Sequence, residues 1–429
     1  MARMRVSVAI AAVVAVAFAI LPVSAQAEPS ASINDTARFI AGLQPSPGSP
    51  LTSYTNEGYW KQYARSFDES WDGLERRQLS KIRTMVARDF NNPQPVLFYL
   101  FSGPDFLYAD AFFPSADTYV MAGLEPPGQI PDLRKFSRGE IASSLRDLRS
   151  SLSSVLSYSF FQTKFMRVDF SRAKLNGTLP VLMTFLARSG KTIYDISLFD
   201  LQSDGTLHPV EENIANPTGR GAKIVFSDAN VGKKRTIYYF STDLSDSGIK
   251  DSGFLTFCDK LGHGDSFLKS ASYLMHSDHF STVRDFLLSH SVSLLEDDSG
   301  IPIRFFAQGW QLHPYGRYVG PISLFGGQYQ AKLKDVFAKG NTKPIEFSLG
   351  YRWRPTESNI LLAVKDPSAT AFEIAPATGK QSASDSETGS VTKAKAESKS
   401  DTPARQRYRH NREQKTVSNP WPKLFGYAP

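Results

Sequence analysis

Pro95-Val96-Leu97-Phe98-Tyr99-Leu100-Phe101-Ser102-Gly103-Pro104 is the stretch on which the fold turns. Val96 to Phe101 is an unbroken apolar run, closed by proline at both ends and by Ser-Gly at the second. It is too short for a buried helix and too uniform for a half-exposed strand. Its aromatic content fits a strand buried on both faces, as in the interior of a parallel sheet. Working outward, Phe106 to Phe113 reads as a short helix stopped by Pro114. Thr118 to Leu124 reads as a second strand, stopped by Pro126-Pro127-Gly128. Strand, helix, strand is a parallel βαβ step.

The same rhythm returns after Ser252. Ser270 to Met275 reads as a strand, Ser281 to Ser289 as a helix with Val283, Phe286 and Leu287 on one side, and Val292 to Leu295 as a strand. Ile303–Phe306, Trp310–Tyr318, Ile345–Trp353 and Ile360–Val364 are further strand candidates, with a helix over Gln328–Phe337. Between the two βαβ regions lie hairpin signals. Thr192 to Leu201 meets the turn Ser203-Asp204-Gly205, and Ala222–Phe226 and Arg235–Ser241 flank Asn230-Val231-Gly232-Lys233. Helical spacing runs through Tyr59–Asp89, with Trp60, Tyr63, Phe67, Leu74, Ile82 and Met85 in phase. Ser137 and Glu140 form a capping-box pattern opening a helix to Ser159, and Thr178–Ala187 is a helix that tolerates Pro180 in its first turn. The expected fold is α/β: a mixed sheet with βαβ units and inserted hairpins, flanked by helices and followed by a disordered C-terminal tail.

Composition bounds the organisation. The chain has 429 residues, 41% apolar, 12% aromatic and 21% charged, enough to build a sizeable core. Arg3 and Arg5, an apolar run from Val6 to Val23, the breaker Pro22 and Ala25-Gln26-Ala27 together make a signal peptide over 1–27. The mature protein is expected to start near Glu28 and to be exported to a bacterial periplasm or the medium. No later run approaches the ~20 apolar residues of a membrane helix, so no transmembrane segment is expected after cleavage. Residues 28–58 are rich in Pro, Ser and Gly and read as a loose entry segment with one short helix around Thr36–Leu43. Residues 59–366 read as the globular domain, with a split into two subdomains near 190–250 left open. Residues 367–429 read as a disordered basic tail, poor in apolar residues between Thr378 and Asn419.

The net charge of +7 sits mostly in the leader and the tail, leaving 28–366 close to neutral. A nucleic-acid-binding core concentrates basic residues, so nucleic acid is not an expected partner. The tail patch Arg405-Gln406-Arg407-Tyr408-Arg409-His410-Asn411-Arg412 suits an anionic lipid or wall polymer. The single cysteine, Cys258, excludes an internal disulfide, and in an exported protein it should be buried.

Chemistry-bearing residues are few. Four of seven histidines, His263, His276, His279 and His290, fall within one stretch interspersed with Asp259, Asp265, Asp278 and Asp285. His276, Asp278 and His279 offer the nitrogen and oxygen donors of a divalent metal site, a possible cofactor, set against a reading of Asp278 as a helix cap. Asp297 and Asp298 end a strand, where adjacent carboxylates hold a cation or divide acid and base roles, though Glu296-Asp297-Asp298-Ser299-Gly300 also reads as a plain turn. Ser102 follows the first strand as a candidate nucleophile with Asp105 beside it, and Asp105 equally suits a helix cap. Gly-x-Ser-x-Gly is absent. Gly264-Asp265-Ser266 matches three residues of the Gly-Asp-Ser esterase block, but no Asp-x-x-His pair occurs anywhere, so that family is not adopted. Tyr315-Gly316-Arg317-Tyr318 and Tyr351-Arg352-Trp353-Arg354 interleave aromatics and arginines in the manner of sugar-stacking surfaces or of ordinary strand edges.

Two function classes follow. The favoured one is an exported α/β protein binding an envelope ligand or partner. The other is a metal-assisted hydrolase using His276, Asp278, His279, Asp297 and Asp298. The predicted strand ends carrying Ser102, His276 and Asp297 should share one edge of the sheet.

Overall fold

The computed structural model describes residues 31–158, 174–210, 221–229 and 231–366. The chain divides into two units, 1–372 and 373–429, and every described residue lies in the first. The leader and the tail read from the sequence lie outside the described residues.

The first unit is built on a ten-stranded mixed sheet. In chain order the strands are β1 (Val96–Tyr99), β2 (Thr118–Gly123), β3 (Lys191–Leu201), β4 (Leu207–Pro209), β5 (Gly221–Asp228), β6 (Val231–Ser241), β7 (Gly264–Leu268), β8 (Ser291–Glu296), β9 (Trp310–Gly316) and β10 (Asn359–Lys365). Their spatial order is β4-β3-β5-β6-β2-β1-β7-β8-β10-β9. The five central strands, β6, β2, β1, β7 and β8, run parallel, and antiparallel pairs extend the sheet on both sides. The mixed α/β architecture is therefore the one expected. β1 sits near the middle with all four residues buried. Its apolar run is explained by neighbours on both edges and cores on both faces.

Those cores are distinct. One face gathers Leu97, Tyr99, Tyr119, Met121 and Phe267 with the helices Gly58–Leu74, Phe106–Phe112, Arg138–Ser151 and Leu179–Arg188. The other gathers Phe98, Val120, Leu268 and Leu294 with the helices Phe254–Lys260 and Ser281–His290. The β1–β2 crossover thus packs on the first face and the β7–β8 crossover on the second. The chain reverses direction across the sheet between β1 and β7, and the carboxyl ends of these strands flank a topological switch point.

Local signals read from the sequence hold at several helices. Ser137 and Glu140 exchange both capping-box bonds, Glu140 N–H to Ser137 Oγ at 3.3 Å and Ser137 N–H to Glu140 Oε2 at 2.8 Å. That helix ends at Ser151, and a second short one follows over Ser153–Tyr158. The periodic stretch 58–89 is helical throughout but carries one π-helical turn, Glu75–Leu79, that turns Gln78 into the core. The proline-rich entry segment carries a helix, Ala31–Ile40, with Phe39 and Ile40 fully buried and Asn34 exchanging two hydrogen bonds with the backbone of Ile193.

Three expected strands are not strands. Ser270–Met275 is a loop ending in a 3-10 turn, because Ser270, Ser272 and Tyr273 are left-handed, with φ of 54°, 53° and 55°. The strand lies just before it, over Gly264–Leu268, where the polar Asp265 and Ser266 hid it. Asp265 accepts from Gln94 N–H at 2.8 Å and Ser293 Oγ at 2.7 Å, and Ser266 Oγ pairs with Ser291 Oγ at 2.6 Å. Ile303–Phe305 is a 3-10 turn. Ile345–Trp353 is irregular, crossing the ends of β8 and β10 with Gly350 left-handed at φ 62°. Cys258 is buried, as expected.

Candidate functional site

The carboxyl ends of the parallel strands carry a group of buried polar residues, Asp105, Lys269, Glu296, Asp297, Asp298 and Ser299. After β7 the chain enters the left-handed run at Ser270–Tyr273. Of the four non-glycine residues with positive φ among those described, three are here. Each costs about 1–3 kcal/mol and persists only if its surroundings hold it. They do so by taking the loop's own N–H groups. Ser270 N–H donates to Asp297 Oδ2 at 2.9 Å, Ala271 N–H to Ser299 Oγ at 2.8 Å and Ser272 N–H to Tyr351 Oη at 3.2 Å. Tyr351 Oη also donates to Ser270 C=O at 2.9 Å, and Tyr273 Oη donates to Asp298 Oδ2 at 2.6 Å. The rings of Tyr273, Phe325 and Tyr351 pack together beside these bonds.

Glu296, Asp297 and Asp298 are all buried. Burial pushes all three carboxyls above the usual range. Asp298 is raised to about 6, first by burial and then by the neighbouring Asp297. Hydrogen bonds offset part of the penalty: Ile301 N–H to Glu296 at 2.6 Å, Ser299 N–H to Asp297 at 2.9 Å and Asn359 Nδ2 to Asp298 at 3.1 Å. The turn reading of this segment is right for its backbone, yet its side chains are the posts that hold the loop after β7.

Across the switch point, Lys269 Nζ lies 2.8 Å from Asp105 Oδ2, with both side chains 2% exposed. Tyr99 Oη donates to the same Asp105 oxygen at 2.8 Å, and Lys269 Nζ stands 4.1 Å from the centre of the Tyr108 ring. Tyr108 Oη donates to Gln78, whose Nε2 donates to Ser348 Oγ at 2.9 Å. The π-helical turn thus feeds a buried polar chain running under the ends of β1 and β7. Burial raises Asp105, and Lys269 opposes the rise. Asp105 also caps the helix Phe106–Phe112, accepting from Tyr108 N–H at 3.3 Å.

On the opposite side of this edge lies a crevice of about 200 Å³. Residues after four strands wall it: Phe101 and Gly103 after β1, Leu124 and Glu125 after β2, Asp243 and Leu244 after β6, and Ser270–Ser272 with Leu274 after β7. A larger depression of about 550 Å³ lies among residues 33–36, 46–51 and 130–134, away from the strand ends and their buried polar groups. Ligands in open α/β sheets sit outside the carboxyl ends of strands at a switch point, which selects the smaller crevice.

β1, β7 and β8 are parallel neighbours, so Ser102 and Asp297 follow carboxyl ends on one edge, whereas the strand expected to carry His276 is a loop and His276 lies on the 3-10 turn beyond β7. Side chains divide them. Ser102 is buried, and its Oγ donates to Gly103 C=O at 2.7 Å. His276 packs edge-on against Tyr273 at 5.1 Å, and burial, then Arg304, lowers its pKa to about 4. Asp278 and His279 are exposed on a 3-10 turn, where Ser277, not Asp278, is the cap. Among the described residues no group of three or more His, Cys, Asp or Glu is placed to hold a metal ion. His263 and His290 lie at the amino ends of β7 and β8, on the opposite edge, stacked on each other at 5.6 Å. There Ser289 Oγ, His290 Nδ1, His290 Nε2 and Asp259 Oδ1 form a hydrogen-bonded chain, both links 2.9 Å. It sits at a helix carboxyl end, where carbonyls rather than N–H donors face outward, so an oxyanion has no support.

Of the aromatic–arginine segments, Tyr315, Tyr318 and Tyr351 are buried and Arg352 donates to Gly320 C=O. Arg317 is exposed, Trp353 is half-buried, and Arg354, stacked on Trp353 at 4.3 Å, is exposed. Sequence reasoning missed Lys269, Gln78 and Tyr273, and it named Tyr351 and Ser299 only within a stacking segment and a turn. A lysine next to a buried strand was the one signal within reach. No family model matches the chain, no curated protein is similar to it and no solved structure matches its fold.

Proposed function

We propose that this chain is an exported, noncatalytic binding protein that takes a small ligand in the crevice at the ends of β1, β2, β6 and β7, and that its basic tail associates with an anionic envelope surface. One observation supports the binding reading above the rest. The loop Ser270–Tyr273 is held in a strained conformation by Asp297, Ser299 and Tyr351 where it walls the crevice. Strain concentrates at ligand clamps and active sites. Here the loop's N–H groups are engaged from behind, which favours a rigid wall over an oxyanion hole.

Binding is tested with hexanol, whose seven heavy atoms suit a volume of about 200 Å³, and followed by ligand-observed NMR on the full chain. Leu124 and Leu274 are 60% and 37% exposed at the rim. Replacing both by Asp should weaken hexanol binding at least tenfold without a change in Tm. Unchanged binding removes the crevice from the proposal. Export is tested by mass spectrometry of the envelope fraction, where the mature start should lie near Glu28; an intact Met1 there removes it. Replacing Arg405, Arg407, Arg409 and Arg412 by Gln should abolish salt-sensitive envelope association, and unchanged association removes the anchoring role. A stoichiometric divalent metal in the purified protein would return the hydrolase reading in place of this one.

A further inference from the structure

We infer that the folded unit carries its own contact for an anionic phospholipid surface, an apolar tip over residues 318–331 flanked by Arg317, Lys332 and Lys334. The tip is separate from the tail, and it needs no ligand in the crevice. Residues 318–331 are fourteen in a row without a charge, preceded by Arg317 and followed by Lys332 and Lys334. Residues 301–358 hold eight Lys and Arg against three Asp and Glu, a net of +5, while 28–366 as a whole is close to +1. The basic excess of the core is therefore local, and the rest of that span is about −4.

The fold turns this pattern outward. β9 is antiparallel to β10 and β10 to β8, so the chain leaves β9 at the edge where the parallel strands end. Tyr318 is buried between the exposed Arg317 and Val319. Its ring stacks on Tyr329 at 5.9 Å and its hydroxyl accepts from Gln330 N–H at 2.9 Å, which closes the segment into a loop. Arg352 donates to Gly320 C=O, and the Phe325 ring lies 4.9 Å from Tyr273 and 5.2 Å from Tyr351, so the base of the loop is fixed. Its outer side is apolar. Of the six large apolar side chains well exposed among the described residues, Val319, Leu324 and Tyr329 are three, at 41%, 42% and 50%. A Cβ on Gly320 would lie 3.3 Å from the Tyr329 ring, so Val319 and Tyr329 adjoin. A Cβ on Gly326 or Gly327 would meet no atom within 4 Å, so the tip stands clear of the fold.

The flanking charges select the partner. Arg317, Lys332 and Lys334 are exposed and enter no ion pair among the described residues. Asp335, the one acid between Arg317 and Lys343, lies 3.8 Å from Lys339. An apolar tip alone suits any apolar partner, but free cations on both sides of it favour a surface that is negative across its breadth and apolar beneath. The long basic side chains reach lipid phosphates while leucine, valine and tyrosine enter the headgroup boundary. Among the described residues no helix is long and apolar enough to cross a membrane, so the contact is interfacial. One such contact is reversible, and stable association takes two. Loss of the tail arginines therefore still releases the protein from the envelope, and the tip by itself is measured on vesicles at high lipid concentration.

The test uses the full chain with Arg405, Arg407, Arg409 and Arg412 replaced by Gln, so that the most basic patch of the tail cannot carry the result. Cosedimentation with mixed phosphatidylglycerol and phosphatidylcholine vesicles at millimolar lipid should exceed that with phosphatidylcholine alone at least fivefold at ~0.1 M salt. The preference should fade at ~1 M salt, where the Debye length shrinks from ~10 Å to ~3 Å. Val319→Ser with Leu324→Ser should lower binding to the mixed vesicles at least fivefold, and so should Arg317→Gln, Lys332→Gln and Lys334→Gln together. All five positions are exposed, so Tm should not move. If the serine variant loses Tm, Leu324→Cys carrying an environment-sensitive fluorophore replaces it, since Cys258 is buried and stays unlabelled. Its emission should shift to the blue on the mixed vesicles. Equal binding to both vesicles, binding indifferent to either set of changes, or an unshifted label on bound protein overturns the inference. A protein cross-linked through position 324 in the envelope, without vesicle binding, overturns it in favour of a protein partner. Failure of the tail or of the crevice leaves each of these outcomes as it stands.

Discussion

Lys269→Met tests whether the buried pair under the switch point supports the strand ends. Lys269 and Asp105 are each 2% exposed and 2.8 Å apart, and Tyr99 and Tyr108 pack against them. Methionine keeps much of the volume and removes the charge. Asp105 is then left buried with two hydrogen bonds and no cation, and breaking a buried pair in this way costs about 3–5 kcal/mol. Unfolding entropy of ~2.1 cal/mol/K per residue over roughly 300 ordered residues gives about 0.6 kcal/mol per degree, so Tm should fall by about 5–8 °C at pH 7.5. The loss has a defined pH dependence. Burial already raises the Asp105 pKa, and Lys269 is the first of the groups opposing that rise. Without Lys269 the folded-state pKa climbs further above the unfolded value. A raised carboxyl penalises the fold above its folded pKa, and the penalty fades as pH drops toward the unfolded pKa. The Tm gap between variant and wild type should therefore narrow at pH 5. Adding Asp105→Asn, which still accepts from Tyr99 and caps the helix, should recover part of the loss at pH 7.5. Scanning calorimetry of the three proteins at both pH values decides it. A drop below 1 °C, a gap equal at pH 5 and pH 7.5, or a double variant no better than the single refutes the reasoning.

Asp298, raised to about 6 by burial and Asp297, contributes ~1 kcal/mol of stability as pH falls from 7.5 to 5, opposite in sign to His276; Asp298→Asn should remove that contribution, so its stability relative to wild type should fall between pH 7.5 and 5 in calorimetry. Arg235 is 5% exposed, pairs with Asp228 at 2.7 Å and donates to Pro114 C=O at 2.6 Å, beside the Lys191–Asp110 contact at 2.8 Å, so Arg235→Ala should lower stability to urea by about 3–5 kcal/mol. Gly350 is left-handed, and a Cβ there would sit 2.0 Å from Asp297 Oδ2; Gly350→Ala should cost about 1–3 kcal/mol and loosen Ser270 N–H in hydrogen exchange, whereas a neutral effect would dissociate Gly350 from the loop.

The sheet was legible wherever burial alone chose the residues. Val96–Tyr99 has apolar side chains because both of its faces are covered, and Thr118–Gly123 follows it across a helix whose stop, Pro114, is local. The capping box at Ser137 was legible for the same reason, since both partners lie within one turn. Gly264–Leu268 was not. Its polar residues are tolerated in a buried strand because Gln94, Ser291 and Ser293 satisfy them, and no local pattern announces partners that far away. Tyr273, Leu274 and Met275 look like strand residues, and isolated serines have no reason to be left-handed. That conformation is imposed by Asp297, Ser299 and Tyr351, which arrive from two later segments.

The same logic explains the candidate site. Asp297 and Asp298 could be picked out as adjacent acids at a strand end, and Asp105 as a residue at the first one, because strand ends are visible in sequence. What each carboxyl does depends on its partner, and Lys269 is 164 positions from Asp105. The histidines show the converse. His263, His276, His279 and His290 are neighbours along the chain, but a strand or a helix lies between His263, the His276–His279 turn and His290. Each such element carries the chain from one edge of the sheet to the other, so they alternate between opposite edges. In a parallel sheet, sequence proximity across one element separates side chains, and proximity in space belongs to residues one whole βαβ step apart. A search for function in such a chain gains more by pairing the residues after successive strands than by looking for clusters within one stretch. Applied here, that rule groups Gly103, Glu125, Asp243 and Ser270 around the crevice and leaves the histidine-rich stretch divided.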